Sequence, residues 1–227
     1  MLGREARVVA RTMADWPDAA FPVAYLACGL VADDRDDVGH DRVLAALRER
    51  GAVVVMHELA RAPGVDVAGD LLADTTWEQL RDAGCRSVLC TNLLEHLADR
   101  GRFVELVTAF LPPGGRLLVS VPGRYPYHPD PIDTMYRPDP IELAAAFPQL
   151  LTESASSVVG LPPVLRLLRS PKDIGRKVRK SVRARRAEPS KVSAVPPPGG
   201  RRDVVAALAP SRVSVVDLRR AEAGIDG

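Results

Sequence analysis

Short apolar runs that end at polar or glycine residues alternate five times in this chain with segments of helical periodicity. Few folds accommodate such a pattern. Phe21 to Gly29, Ala52 to Met56, Gly64 to Asp70, Ser87 to Cys90 and Arg116 to Pro122 read as strands. Asp41 is placed to cap a helix whose Val43, Leu44 and Leu47 share a face and which Gly51 ends. Thr75 and Glu78 have capping-box spacing and open a helix through Trp77 and Leu80 to Gly84. Phe103, Leu106, Val107, Phe110 and Leu111 recur at helical spacing, and Pro112-Pro113-Gly114-Gly115 stops them. Asp139-Pro140 starts one more helix, with proline at its first position. Strands and helices in this order predict an α/β fold: a doubly wound, mostly parallel sheet with right-handed crossovers.

Ser87 to Asp133 is the densest part of the pattern: strand, polar edge, helix, tight turn, strand, polar loop. In a parallel sheet the ends of these two strands lie side by side. Thr91-Asn92 and the loop from Pro122 to Asp133 then border one crevice, at the strand ends where open α/β sheets bind ligands.

The two ends of the chain read differently. Residues 1–20 are mixed in character, a short helix or a frayed lead-in. After Phe147 the composition shifts: Glu153 to Val159 reads as a strand and Arg212 to Leu218 as the last one, pairing antiparallel. Between them lie Leu165-Arg-Leu-Leu-Arg, the basic run Arg176 to Arg186 and the linker Val195-Pro-Pro-Pro-Gly-Gly. The expected division is a lead-in over 1–20, an α/β core over 21–160, a basic insertion and linker over 161–202, and a final helix and strand over 203–227.

With 46% hydrophobic and 26% charged residues and a net charge of +2, composition alone indicates no particular partner. Three widely spaced cysteines in apolar surroundings, with no Cys-x-x-Cys pair, argue against a disulfide framework or a zinc site. Arg4, Glu5 and Arg11 break the pattern of a signal peptide, and no apolar run approaches the roughly 20 residues of a membrane span, so a cytoplasmic protein is expected. The basic run follows Val164, Leu165, Leu167 and Leu168, which favours peripheral contact with an anionic membrane. Nucleic acid is the weaker reading, since the run lacks aromatic platforms; a solvated insertion is the third.

Asn92-Leu93-Leu94-Glu95-His96 after a strand, followed by Leu111-Pro112-Pro113-Gly114-Gly115-Arg116-Leu117, resembles the class I S-adenosylmethionine-dependent methyltransferases. The closest resemblance is to the small-molecule type with an Asn-x-Leu-Glu-His motif. It spans about residues 50 to 150. It implies a Rossmann-like sheet with an antiparallel C-terminal strand, interrupted here by the basic insertion. S-adenosylmethionine is the implied cofactor, with Ala27, Gly29, Glu58, Asp70, Leu71 and Asn92 in its site. Glu58 falls where the family has a ribose-binding acid, and Asp70 where it has an acid near the adenine amino group. The first loop departs from the family: Tyr25 stands in place of the acid, and Ala27 and Val31 in place of two glycines.

On the acceptor side the resemblance implies His96, His128 and Asp130 as catalytic candidates and Tyr127 and Asp133 as substrate contacts. His128, Asp130 and Asp133 also admit a one-His, two-Asp metal site or plain turn capping. Glu95 and His96 could equally serve the N-terminus of the following helix. The implied activity is direct methyl transfer to oxygen or nitrogen of a small molecule or a glycan- or lipid-linked acceptor. The alternatives are a methyltransferase-like binding protein without turnover and an anionic-surface module carried by residues 164–186.

Overall fold

A computed structural model of the chain describes residues 3–28, 38–127, 132–162 and 209–222. Its strands are β1 (Val23–Leu26), β2 (Val54–Glu58), β3 (Val67–Ala68), β4 (Ser87–Thr91), β5 (Arg116–Arg124), β6 (Leu151–Val159) and β7 (Arg212–Arg219). They form one sheet in the order β3-β2-β1-β4-β5-β7-β6. β1 to β5 run parallel, and β7 lies antiparallel to both β5 and β6. The chain builds outward from β1 to β3, then returns to β4 on the other side of β1. This reversal opens a crevice at the carboxyl ends of β1 and β4.

Helices α1 (Gly3–Ala14) and α2 (Val38–Glu49) cover one face, while α3 (Asp74–Asp82), α4 (Arg100–Phe110) and α5 (Pro140–Ala145) cover the other. Successive strand residues point to opposite faces. Val23 and Tyr25 therefore join Ala6, Val9, Met13, Val43 and Leu47 in one core, and Ala24 and Leu26 join Trp77, Phe103 and Phe110 in the other. Burial on both faces explains why the central strands read as continuous apolar runs. Trp77 packs on Phe103 and Phe110 at centroid distances of 5.9 and 5.2 Å. Each such fully buried side chain is worth about 1.5–3 kcal/mol.

Several local features differ from their sequence signals. α2 begins at Val38, so Asp41 lies inside its first turn instead of capping it. The Thr75–Glu78 capping box does not form. α3 starts at Asp74 after Ala73, with no side-chain cap, and the neighbouring Thr76 hydroxyl donates to the Asp70 carbonyl at 2.7 Å. β2 extends through His57 and Glu58, while β3 shrinks to two residues paired with them. After β4 the chain makes a 3-10 turn over Leu94–His96, and α4 starts separately with Asp99 accepting from the Arg102 amide. The Asp139–Glu142 capping box does form, with Pro140 in the first turn. A Cβ on Gly115 would meet the Arg86 carbonyl at 2.6 Å, which explains the glycine of the turn before β5.

The first twenty residues supply α1, which packs on α2 and the sheet. β6 and β7 pair antiparallel along their length, while the basic run and linker lie outside the described residues. Cys28, Cys85 and Cys90 are free thiols, each buried. Among the described residues, no helix is long and apolar enough to cross a membrane.

Candidate functional site

The register of the ladders brings the expected site residues to one edge of the sheet. Leu26 pairs with Cys90, Thr91 with Ser120, and Glu58 with Ala68, so the chain leaves each parallel strand toward the same crevice. Its β1–β3 half holds Ala27, Glu58, Asp70 and Leu71. Its β4–β5 half holds Asn92, His96, Tyr127 and Asp133.

Ala27 leaves β1 in the left-handed region, with φ +46°. Glycine adopts this conformation without penalty, and the residue falls where the resembling family places one. Gly29 lies outside the described residues. Glu58 is buried at the end of β2, with the Cys28 thiol 3.7 Å from its Oε1. Asp70 is exposed after β3, and its Oδ1 accepts from the Leu72 amide at 2.9 Å. Leu71 is buried, its carbonyl taken by the Trp77 indole N–H at 2.9 Å. Asp66, which the alternation of a continuous strand would place beside Asp70, instead accepts from the Met56 amide at 2.8 Å and pins β3 to β2.

His57 was given no role by the sequence. It is 1% exposed and sits between the exits of β1 and β3, with Nδ1 3.4 Å from the Ala27 amide and Nε2 3.1 Å from the Gly69 carbonyl. Burial holds its pKa below the usual histidine value. Tyr25, standing at the family's acid position, turns its hydroxyl toward α2, 2.5 Å from His40 Nδ1 and 3.4 Å from Thr91 Oγ1.

In the other half, Asn92 also has a left-handed backbone, with φ +50°. Its side-chain amide donates to Glu5 Oε1 at 2.7 Å, and the Ser120 hydroxyl donates to the same oxygen at 2.7 Å. The first residue of the Asn-x-Leu-Glu-His stretch is thus anchored by α1. His96 bonds through Nδ1 to the Ile132 carbonyl. A carbonyl only accepts, so Nδ1 carries a proton, and in the neutral ring Nε2 holds the lone pair. His96 Nε2 lies 3.8 Å from Glu95 Oε1.

Glu95 does not serve a helix N-terminus; Asp99 does that for α4. Its side chain is buried, and neither carboxylate oxygen has a hydrogen-bond partner. Burial raises its pKa to about 8, with Asp133 and Glu5 adding to the shift and Arg137 opposing it. The neutral acid is therefore its main form at pH 7.

Asp133 faces inward, 2% exposed. Its Oδ1 accepts from the Met135 amide at 2.8 Å, and its Oδ2 meets the Arg137 guanidinium at 2.6 Å. It therefore shapes the loop after β5 from within. Thr134 fastens that loop to the 3-10 turn, its amide and hydroxyl both donating to the Glu95 carbonyl at 2.9 and 3.0 Å. Tyr127 is half-buried where the first described part of the loop ends; His128 and Asp130 lie outside the described residues. Among the described residues no group of three potential metal ligands occurs.

Sequence reasoning missed Glu5, His57 and the burial of Glu95. Arg137 had a signal, its four-residue spacing from Asp133.

No protein-family model matches the chain. A 75-residue segment is 39% identical to a protein described as a probable S-adenosylmethionine-dependent methyltransferase from Mycolicibacterium smegmatis. The match spans 33% of this chain and 28% of that relative. Among solved structures, a methyltransferase-like protein from Bacillus halodurans C-125 superposes with a TM-score of 0.53 at 14% identity, over 96% of this chain and all of that one. Phosphoethanolamine N-methyltransferase 2 of Haemonchus contortus, solved with S-adenosylhomocysteine, gives 0.52 at 10% identity, over 96% of this chain and 53% of that one. The fold is that of the Rossmann-like methyltransferases.

Proposed function

We propose that the chain is an S-adenosylmethionine-dependent methyltransferase, acting by direct transfer to oxygen or nitrogen of a small molecule or a glycan- or lipid-linked acceptor. The observation that carries this reading is the pair of acids at the ends of neighbouring strands, Glu58 after β2 and Asp70 after β3. Glu58 lies beside the left-handed exit of β1 at Ala27, and Asp70 follows β3, one strand further out. The donor set fits the cofactor. Glu58 can accept from two ribose hydroxyls, Asp70 from an adenine amino group, and Leu71 offers apolar surface beside it. Gly29 and Asn92 complete the assignment, Asn92 as a backbone contact since Glu5 holds its amide group.

When bound, the cofactor supplies a methyl group on a sulfonium already activated for displacement. The protein's task is then alignment and proton removal. His96, with its proton fixed on Nδ1, offers Nε2 as the base for an acceptor O–H or N–H. His128 and Asp130 share that side by sequence, Tyr127 lines it, and Asp133 sets the loop's shape. Residues 164–186 would bring the enzyme to an anionic membrane surface if the acceptor is lipid-linked.

A second reading is a methyltransferase-like binding protein without turnover. It is favoured by Tyr25, whose side chain is committed to α2 at the family's acid position. Calorimetry with S-adenosylhomocysteine tests the first reading: saturable heat is expected, and none at millimolar ligand rejects it. Asp70→Ala should weaken binding about tenfold, a loss of about 1.4 kcal/mol. An unchanged affinity would place the adenine elsewhere. Radiolabelled methyl transfer to a panel of small-molecule and lipid-linked acceptors separates enzyme from binding protein.

A further inference from the structure

His57 joins two chain segments that no backbone ladder connects. The sheet order places β2 between β1 and β3, so the exits of these outer strands meet only across β2. The imidazole spans that gap, from the Ala27 amide at 3.4 Å to the Gly69 carbonyl at 3.1 Å. The chemistry of these two partners fixes its protonation. The carbonyl only accepts, so Nε2 carries the proton; the amide only donates, so Nδ1 must present its lone pair. Only the neutral Nε2–H tautomer makes both contacts. A second proton would face the Ala27 N–H and break one end of the bridge.

The surroundings favour the neutral form. His57 is 1% exposed, and burial lowers its pKa, with Glu58 opposing the shift. Among the described residues, Glu58 on its own strand is the charged group acting on His57; the Cys28 thiol sits at the exit of β1, and Asp70 follows Gly69 in the chain. The backbone follows the same plan: the Cys28 amide donates to the His57 carbonyl at 3.3 Å, and the Gly69 amide donates to the Glu58 carbonyl at 3.0 Å. A Cβ on Gly69 would lie 2.3 Å from Thr76 Oγ1, so this segment has little freedom to shift toward α3.

We propose that His57 is the positioning residue of the nucleotide half of the site. As a neutral bridge it sets the separation between Ala27 and the Gly69–Asp70 segment, and protonating it loosens ligand binding. The inference rests on the cofactor reading above. It adds a residue that touches no cofactor and a pH dependence that reading does not contain. The sign follows from linkage. Binding favours the neutral imidazole, so affinity is full above the folded-state pKa and falls as pH drops through it, up to about tenfold per unit.

The test is S-adenosylhomocysteine affinity by calorimetry between pH 5 and pH 8, for the wild type, His57→Phe and His57→Gln. The wild type should lose affinity toward pH 5. His57→Phe should bind about tenfold more weakly at pH 8 and show no acid limb, while His57→Gln, which keeps a donor for Gly69, should recover part of the loss. The protection of the Ala27 amide against exchange relative to the intrinsic rate at each pH, followed in the ligand-free wild type by NMR, should fall as the His57 ring protonates. An acid limb that persists in folded His57→Phe, or Ala27 protection that ignores the ring's titration, overturns the proposal. Absence of binding at pH 8 with protection still coupled to the ring overturns the cofactor reading instead, and the positioning role with it. Should the variants fail to fold, the wild-type affinity profile and exchange data decide alone.

Discussion

Asn92 and Glu5 meet at 2.7 Å, across 87 residues of sequence. The residue that starts the Asn92–His96 stretch is held by the first turn of α1. Ser120 in the middle of β5 donates to the same carboxylate oxygen, so one buried side chain ties α1, the exit of β4 and β5 together.

Replacing Glu5 with alanine removes the acceptor from two donors. The expected loss is about 2–4 kcal/mol, read as a lower midpoint in urea. Glu5→Gln keeps an oxygen that can accept from both donors and should cost less than half as much. Equal losses in the two variants would show that packing, not hydrogen bonding, is the role of this side chain.

Glu95 makes stability depend on pH. Its folded-state pKa of about 8 lies above the ordinary value of 4.5. Between these values the unfolded chain binds fewer protons than the folded one, so stability falls as pH rises from about 4.5 to 8. Glu95→Gln removes this slope. The variant should match the wild type near pH 5 and exceed it at pH 8 by on the order of 3 kcal/mol, measured as unfolding midpoints across that range.

Arg137 compensates the charge of Asp133 inside the loop after β5, at 2.6 Å. Arg137→Met removes this counter-charge from a buried carboxylate, at a local cost of about 3 kcal/mol. Hydrogen exchange at the Thr134 and Met135 amides should then quicken while β4 and β5 stay protected. Adding Asp133→Asn should restore part of the protection, because the buried charge is gone.

Ala27 occupies a conformation that glycine prefers, at φ +46°. Ala27→Gly should leave the unfolding temperature nearly unchanged, since relieved strain offsets added freedom in the unfolded chain. Ala27→Val, β-branched, should lose about 1–2 kcal/mol and weaken S-adenosylhomocysteine binding. Equal behaviour of the two variants would mean that the exit of β1 tolerates another backbone conformation.

The sequence made the sheet legible because its signals are local. Leu117 to Val119 are apolar without interruption because β5 is buried on both faces. Asp139, Pro140 and Glu142 state a helix start within four residues, and all three act as expected. Thr75 and Glu78 have similar spacing, yet the carbonyl of Asp70 gives the neighbouring Thr76 hydroxyl a tertiary partner and the helix begins at Asp74. The site was harder to read. Glu58 and Asp70 are candidates because the family resemblance puts acids at those strand ends, whereas Glu5 and His57 act on partners brought near only by folding. Glu95 looked like an ordinary polar residue at a helix start because burial leaves no mark in the local sequence.

One end of the sheet has an evolutionary consequence. Where β6 ends, the Gly160 amide donates to the Ser211 carbonyl at 2.9 Å, and the Ser211 hydroxyl returns a bond to the Leu161 carbonyl at 3.0 Å. The last two strands are therefore clasped at the point where the chain departs and comes back. Closing a longer connection costs only about 0.6 kcal/mol per doubling of its length. Whatever joins 162 to 209 can therefore change in length at little cost to the sheet register, and because Val159 and Arg212 pair beside Arg124 at the carboxyl end of β5, such changes fall at the crevice end of the sheet.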